Sequence, residues 1–588
     1  MSATNKRRGP GQDISPYLMV GGSSLVLAGV AVAWTSAALG ARLADAPAPA
    51  ANPFSLPFDL AKGAYTWPGP WATAVAAAEL LVVLALAVLV ARATRKARAR
   101  RKPIDAAARH MGHGRALAKI SKEGATATAQ RLGVPEGGSI GVYLGRSVIG
   151  RQPLYGSIED TFLLLWGTRA GKTTRVAIPA VMDHGAAPLL ATTNRRDLVD
   201  ATRLPRAEIG TVWVFDLQNI IGEDCDWYWN PLSYVTDVVS AAKLADHFAS
   251  DSRPENATRD AYFDGAGEEL LASYLLAAAL DGAPITQVYR WLTDDSNDEP
   301  ARILEESGPD YALAAHGVRG FLNAAERQRS GIFGTAQKMA ASLRDPRAMR
   351  WVTPPAAAEL DKRREFRPAD FVRSTDSLYL VSREGKGSAG ALVTALSVAV
   401  CEAGEHLAMR SAHGRLPRPL LAVLDEAANI CRWSELPDIY SHYGSRGIQL
   451  MTILQSWDQG ATVWGDKGMG KLWATANITS YGGGGKDDAF FQRLSRLVGN
   501  FEPETRSVSV QPSSHGAGLF ASNRSTSLSS RPEEILSVSD LVDLPSGRAV
   551  LFASQTRTTL IETVPWWERE WADQVRESLA AHDPGATP

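Results

Sequence analysis

The run Thr161-Phe-Leu-Leu-Leu-Trp166, followed directly by Gly167-Thr-Arg-Ala-Gly-Lys-Thr-Thr174, constrains this chain more than any other stretch. An apolar run that ends in a Gly-rich turn and continues as Arg175-Val-Ala-Ile178 reads as strand, phosphate loop and helix. Gly171 permits close backbone approach to phosphates, and successive N–H groups at the helix N-terminus cradle an anion. Lys172 reaches the outer phosphates, and the Thr173 hydroxyl suits Mg²⁺. The candidate nucleotide-binding residues are therefore Gly167, Thr168, Arg169, Ala170, Gly171, Lys172, Thr173 and Thr174. The pattern departs from G-x-x-x-x-G-K-[ST] at one place, because Trp166 stands where the first Gly belongs. That leaves the shape of the first turn open, while the lysine and hydroxyl remain.

A bare phosphate-loop match needs a partner, and Pro419-Leu-Leu-Ala-Val-Leu-Asp-Glu426 supplies one. This apolar strand delivers two carboxylates at its C-terminal end. In an ATP site, Asp425 would hold Mg²⁺ and Glu426 would polarise the attacking water. Alone, the same segment reads equally as a strand ending in an acidic helix cap. Together with Lys172 and Thr173 it reads as a site for ATP and Mg²⁺.

Around these motifs, apolar runs at 187–192, 211–215, 377–381, 420–424 and 448–454 alternate with helical segments. That order belongs to a parallel α/β sheet. Residues 233–365 interrupt it with helix-rich sequence and read as an all-α insertion. The expected organisation is a nucleotide-binding domain in two pieces, 140–232 and 366–500. A C-terminal segment, 501–588, carries a flexible loop from Val510 to Arg531 and strands that complete the core. Residues 103–139 read as a polar, Ala-rich helical linker. A chain of 588 residues exceeds what one core usually organises, which excludes a single small binding module.

The first 102 residues have a different composition. No charged residue occurs from Ile14 to Ala41, and Glu79 is the only one from Trp71 to Ala91. Two transmembrane helices are expected, at about residues 16–41 and 71–91, since crossing a bilayer takes about 20 helical residues. Lys6, Arg7 and Arg8 precede the first, and Arg92, Arg95, Lys96, Arg98, Arg100, Arg101 and Lys102 follow the second. By the positive-inside rule both chain ends are cytoplasmic, making a two-pass protein of the cell membrane. The alternative, a cleaved secretory signal, has a shorter apolar region than this one. Glu79 at membrane depth implies either a partner on a neighbouring helix or a neutral carboxyl.

Global charge is uninformative: the formal net charge is −1, and a DNA channel needs only a local basic lining. The three cysteines, Cys225, Cys401 and Cys431, lack metal-ligand spacing, so neither a zinc site nor a disulfide framework is expected. The bulk of the chain is expected in a reducing compartment.

Several segments, in order, resemble the type IV secretion coupling proteins of the TraD/TraG kind. They are the phosphate loop with Ile178-Pro179, then Trp229-Asn-Pro-Leu232, Leu424-Asp-Glu-Ala-Ala-Asn-Ile430 and Gly444-Ser-Arg-Gly-Ile448. Leu454-Gln455-Ser456, Ala476-Asn477, Arg531-Pro-Glu-Glu-Ile535 and Leu544-Pro-Ser-Gly547 complete the set. The abundance of Ala, Arg and Trp suggests a high-GC, actinobacterial version. The resemblance implies a RecA-like P-loop core with an inserted all-α domain behind two membrane helices. It further implies a homo-hexameric ring that couples relaxase-bound single-stranded DNA to a conjugation channel by ATP hydrolysis. The partners implied are DNA, relaxase or relaxosome proteins, channel components and the membrane.

At matching positions the resemblance makes Gln455 a γ-phosphate sensor, which an amide suits because it both donates and accepts. Arg446 would be an arginine finger acting on a neighbouring subunit. With Lys172 and Glu426, these are the candidate catalytic residues. Asn477 matches without a clear role. Where the family carries an Asp-Pro-Lys-Gly-Glu-like segment, this chain has Thr192-Thr-Asn-Arg-Arg-Asp197, so Arg195 or Arg196 would supply the basic group. DNA grip would be salt-sensitive and sequence-independent, with Arg195, Arg196 and the loop around Lys386 as candidates. Two alternatives stay open. One is a related membrane ATPase that exports proteins or pumps duplex DNA. The other is a nucleotide-binding docking platform that does not hydrolyse.

Overall fold

The computed structural model describes residues 15–99, 102–134, 138–253, 260, 262–356, 361–383, 389–502, 504–512, 522–530 and 532–585. The chain divides into two compact units at Pro103/Ile104.

In the first unit two long helices, Ser15–Leu43 and Pro70–Ala99, run beside each other. Pro70–Val90 is long and apolar enough to cross a membrane and is mostly exposed, with Ala72 buried; Leu27–Leu43 is a shorter apolar stretch of the first helix. Small residues set their approach. A Cβ on Gly40 would lie 2.3 Å from the Ala72 Cβ, so only glycine allows this spacing. The Glu79 side chain is not solitary: Thr35 Oγ1 and Ser36 Oγ donate to its Oε2 at 2.8 and 2.9 Å. Lys6, Arg7, Arg8, Arg100 and Arg101 lie outside the described residues.

The second unit is built on one mixed sheet of eleven strands. In chain order these are β1 (Gly141–Ser147), β2 (Pro153–Ser157), β3 (Phe162–Leu165), β4 (Leu189–Thr193), β5 (Val212–Asp216) and β6 (Ser377–Val381). They continue as β7 (Leu420–Leu424), β8 (Ile448–Leu454), β9 (Ile478–Tyr481), β10 (Arg548–Ala553) and β11 (Thr559–Glu562). The spatial order is β2-β1-β11-β10-β9-β3-β8-β7-β4-β6-β5. From β9 to β5 every pairing is parallel, and β10, β11, β1 and β2 extend the sheet antiparallel.

The central strands are buried on both faces, which explains their continuous apolar sequence. Leu163, Leu165, Leu420, Ala422, Leu424 and Leu450 point to one core, and Phe162, Leu164, Leu421, Val423, Met451 and Ile453 to the other. The first core is covered by the helix Gly390–Met409 and the inserted helices; the second by Ile178–Asp183, Asp197–Ala207 and the C-terminal helix Ala572–Ala581. Gly390–Met409 is itself apolar enough to span a membrane, but it is packed inside this core.

The insertion runs from Val238 to Val352 as seven α-helices among the described residues, centred on the buried faces of Phe263–Asp281. It leaves and re-enters the core at one seam, where Trp227-Tyr228 pairs in parallel with Arg364-Glu365. Trp213, Phe215, Trp227, Trp351 and Phe366 pack edge-to-face or tilted across that seam, with centroids 5.3–5.9 Å apart.

Two expectations need correction. Residues 103–134 are not a free linker: two 3₁₀ segments and a short helix bury Ala108, Leu117, Ile120, Ala125 and Ala129 against the second unit. Arg548 clasps Asp105 with two hydrogen bonds, at 2.7 and 2.9 Å. Within the stretch from Val510 to Arg531, expected as a loop, the described residues 510–512 and 522–530 are strand. Glu504–Pro512 pairs antiparallel with Ser522–Ser530, while residues 513–521 and 531 lie outside the described residues. Its Ser-rich strands lack the one-sided apolar alternation by which a strand is read.

Candidate active site

Parallel strands end together, so residues that follow them meet at one edge, the usual ligand crevice of such sheets. The register pairs Leu165 of β3 with Leu454 of β8, and Thr452 of β8 with Leu424 of β7. The phosphate loop, Gln455 and Asp425 are the next residues on three adjacent strands. Three residues distant in sequence are therefore delivered side by side by strand pairing alone.

Trp166 is compatible with the loop because its ring turns inward. It is 2% exposed, and its indole N–H donates to Ser480 Oγ at 3.1 Å. A Cβ on Gly482 would stand 2.1 Å from the ring, so the run Gly482-Gly-Gly-Gly485 makes room for it. The same run supports the loop backbone: Gly167 N donates to Gly483 O at 2.9 Å, and a Cβ on Gly167 would meet Gly484 O at 2.3 Å. Sequence reasoning missed this glycine turn, although four consecutive glycines after a strand are a visible signal of close backbone approach.

The loop itself turns through left-handed backbone at Arg169 and Gly171, with φ of 63° and 90°. Thr173–Ala177 then forms a π-turn that leads into the helix Ile178–Asp183. Arg175 fixes this helix to the C-terminal strands through Thr563 O, at 2.7 Å.

Lys172 reaches across to the β7 carboxylates. Its Nζ lies 3.7 Å from Asp425 Oδ1 and in direct contact with Glu426 Oε1. Both acidic residues are 3% exposed. Burial pushes the Asp425 carboxyl up to about 6, while Lys172 and Arg195 pull it back. Such a group suits a bound cation, whose charge would offset the desolvation of the carboxylate. Thr192 Oγ1 holds the Asp425 carbonyl at 3.0 Å. Glu426 adopts left-handed backbone, φ 56° and ψ 38°, an unfavourable conformation for a residue with a Cβ, and from it the side chain faces the phosphate loop.

Gln455 donates to both Glu426 oxygens, at 2.9 and 2.8 Å, and its own oxygen accepts from Thr168 Oγ1 at 3.4 Å. Lys172, Thr168, Asp425, Glu426 and Gln455 are thus brought together, and Thr173 follows Lys172 at the start of the π-turn. These residues fit Mg²⁺ and a polyphosphate: a lysine, a hydroxyl, a buried carboxylate and a backbone turned by Gly171.

The remaining predicted residues lie elsewhere. Arg446 ends the helix Leu436–Arg446, before β8 rather than after it; its Nε is buried without a hydrogen-bond partner among the described residues. The length of β8, about 23 Å for seven residues at ~3.3 Å each, separates Arg446 from Gln455. Asn477 clamps the opposite sheet edge, where its Oδ1 accepts from Thr161 N at 3.1 Å and its carbonyl from Ser554 N at 2.9 Å. Arg196 is engaged with Asp200 and with His582 O, whereas Arg195 is exposed beside the site. The loop around Lys386 lies outside the described residues.

The fold is RecA-like, with an all-α insertion, and its strand edge carries a phosphate-loop motif facing two buried carboxylates. Residues 419–546 match the family described as the TraM recognition site of TraD and TraG. No curated protein matches the sequence. Among solved structures, the bacterial conjugative coupling protein TrwBdeltaN70 in its unbound form has a TM-score of 0.51 at 15% identity, over 74% of this chain and 91% of that one. TrwB in complex with ADP and Mg²⁺ gives 0.49 at 14% identity, covering 76% and 93%. VirB4 of Thermoanaerobacter pseudethanolicus gives 0.41 at 13%, covering 74% and 100%. The family match runs from β7 to Ser546, and the likeness to TrwBdeltaN70 is one of fold.

Proposed function

We propose that this chain is a membrane-anchored ATPase that couples relaxase-bound single-stranded DNA to a type IV secretion channel and drives its passage by ATP hydrolysis. The observation that carries this reading is the convergence of Lys172, Asp425, Glu426 and Gln455 at one sheet edge. An inert docking platform would have no use for a glutamate held beside a lysine and a polar amide.

The residues 167–174 and Lys172 would hold the nucleotide phosphates, and Thr173 with Asp425 would hold Mg²⁺, which supplies charge neutralisation of the outer phosphates. Lys172 exchanges its carboxylate partners for phosphate oxygens. Glu426 then accepts the proton of the attacking water, and Gln455 orients that water from the end of β8. The two N-terminal helices anchor the chain with both termini and the ATPase on the cytoplasmic side. The family reading adds a homo-hexameric ring. In such a ring Arg446, at the far end of β8 from its own Gln455, acts on the site of a neighbouring subunit.

Translocation itself is the test. Full-length protein in detergent is given single-stranded or duplex DNA carrying an end-bound streptavidin, and ATP-dependent displacement is followed. Displacement from the single strand supports the proposal. Displacement from duplex alone favours a duplex pump, and displacement from neither, despite ATP turnover, favours a protein exporter.

A further inference from the structure

Four side chains close a hydrogen-bonded ring around the candidate base. The backbone N–H of Gln455 donates to Gln459 Oε1 at 2.9 Å. That uses the acceptor of the Gln459 amide, so its nitrogen faces Asn429, and Nε2 donates to Asn429 Oδ1 at 2.6 Å. Asn429 is in turn committed to present its nitrogen to Glu426 Oε2, 3.4 Å away. The Gln455 side chain closes the ring by donating to Glu426.

An amide side chain can present either its oxygen or its nitrogen, and only its surroundings decide which. Here one backbone N–H, which cannot be reversed, sets the direction of every bond in the series. The series ends on a carboxylate, which when ionised can only accept. The scaffold is local: Gln459 lies in the first turn of the helix Trp457–Thr475, where its N–H is capped by Ser456 Oγ at 3.2 Å. Asn429 sits in the short helix Ala427–Ile430, tied back to the Glu426 carbonyl at 2.8 Å.

We infer that Asn429 and Gln459 are positioning residues for ATP hydrolysis, which orient the Glu426 carboxylate and tie its position to that of Gln455. This rests on the ATPase reading above. Among the described residues, the side-chain hydrogen bonds of Asn429 and Gln459 go to each other, Glu426 and Gln455 and not to the phosphate loop; both act through Glu426 and Gln455. Because the two strand ends are joined by this ring, the water-polarising group and the phosphate-sensing amide move together.

The test is steady-state ATP turnover by the full-length protein with single-stranded DNA present. Asn429→Asp keeps the shape and the bond from Gln459 but turns an acceptor toward Glu426. Gln459→Met keeps the length and removes the polar link. Each should lower kcat by about tenfold or more, while KM for ATP stays within about twofold and the melting temperature is unchanged, the signature of a contribution realised in the transition state. Asn429→Asp combined with Gln459→Met should be no slower than the slower single variant, since the two act in series. Variants with kcat within twofold of wild type, multiplicative losses in the double variant, or kcat falling only together with KM and melting temperature would overturn the inference alone. A wild-type protein that turns over no ATP overturns the ATPase reading, and this inference with it.

Discussion

The Trp166 ring lies against Gly482, so closely that a single Cβ at 482 would stand 2.1 Å from it. The residue that departs from the phosphate-loop pattern is accommodated by a glycine more than three hundred positions later. The first loop turn is held not by a glycine at 166 but by backbone pairing of Gly167 with Gly483.

Trp166→Ala should destabilise the second unit by about 3–5 kcal/mol, the range for emptying a large buried aromatic site. Gly482→Ala alone should cost about 1–3 kcal/mol through overpacking. Combining Trp166→Ala with Gly482→Ala should cost less than the sum of the single changes, because the smaller side chain leaves room for the new methyl. Denaturant unfolding of the four proteins checks this. Additive effects would mean that the two residues do not share one space.

Asp105 distinguishes a packed segment from a linker. The Asp105 and Arg548 side chains are 9% and 7% exposed, so Asp105→Ala removes a carboxylate from a buried guanidinium. Breaking such a pair typically costs about 3–5 kcal/mol, whereas a change in a solvated linker stays within about 0.5 kcal/mol. The same unfolding measurement separates the two.

His247 gives the pH dependence a sign. Burial in the helix Val238–Ser252 lowers its pKa to about 4; Lys243 lowers it further, and Asp246 and Glu402 oppose. The unfolded chain, with a value near 6.5, binds a proton at a pH where the folded chain does not. Stability is therefore full above pH ~6.5 and falls with decreasing pH until about 4, by up to about 1.4 kcal/mol per pH unit. His247→Leu should flatten this window, seen as a shallower loss of melting temperature between pH 6.5 and 4.5. An unchanged slope would mean that another group carries it.

Glu79 joins the two N-terminal helices through Thr35 and Ser36. Glu79→Leu should weaken their association by about 0.6–2 kcal/mol, as interhelical hydrogen bonds in bilayers do. Disulfide trapping or energy transfer between labels on the two helices, in vesicles, would report it.

The two motifs of the site were readable because each is local: a strand, then a turn or a pair of carboxylates. The parallel sheet and the helical insertion were readable for the same reason, from runs of buried residues and their alternation with helices. What joins elements far apart was not. Nothing local in Asn429 or Gln459 signals that they meet, and Trp166 reads as a defect until Gly482 is beside it. Residues 103–134 looked like a linker because their buried side chains are few and spaced by 3₁₀ turns, which leave no helical period. The hairpin at 504–530 was hidden by serines where a buried face would show apolar residues.

The most direct measurement is ATP turnover by the full-length protein with and without single-stranded DNA, for wild type, Lys172→Ala and Glu426→Gln. The account predicts turnover stimulated by DNA and lost by about a thousandfold or more in both variants, with nucleotide still bound by Glu426→Gln. A wild-type protein that binds nucleotide and DNA yet turns over no ATP, or a Glu426→Gln protein as fast as wild type, would contradict it.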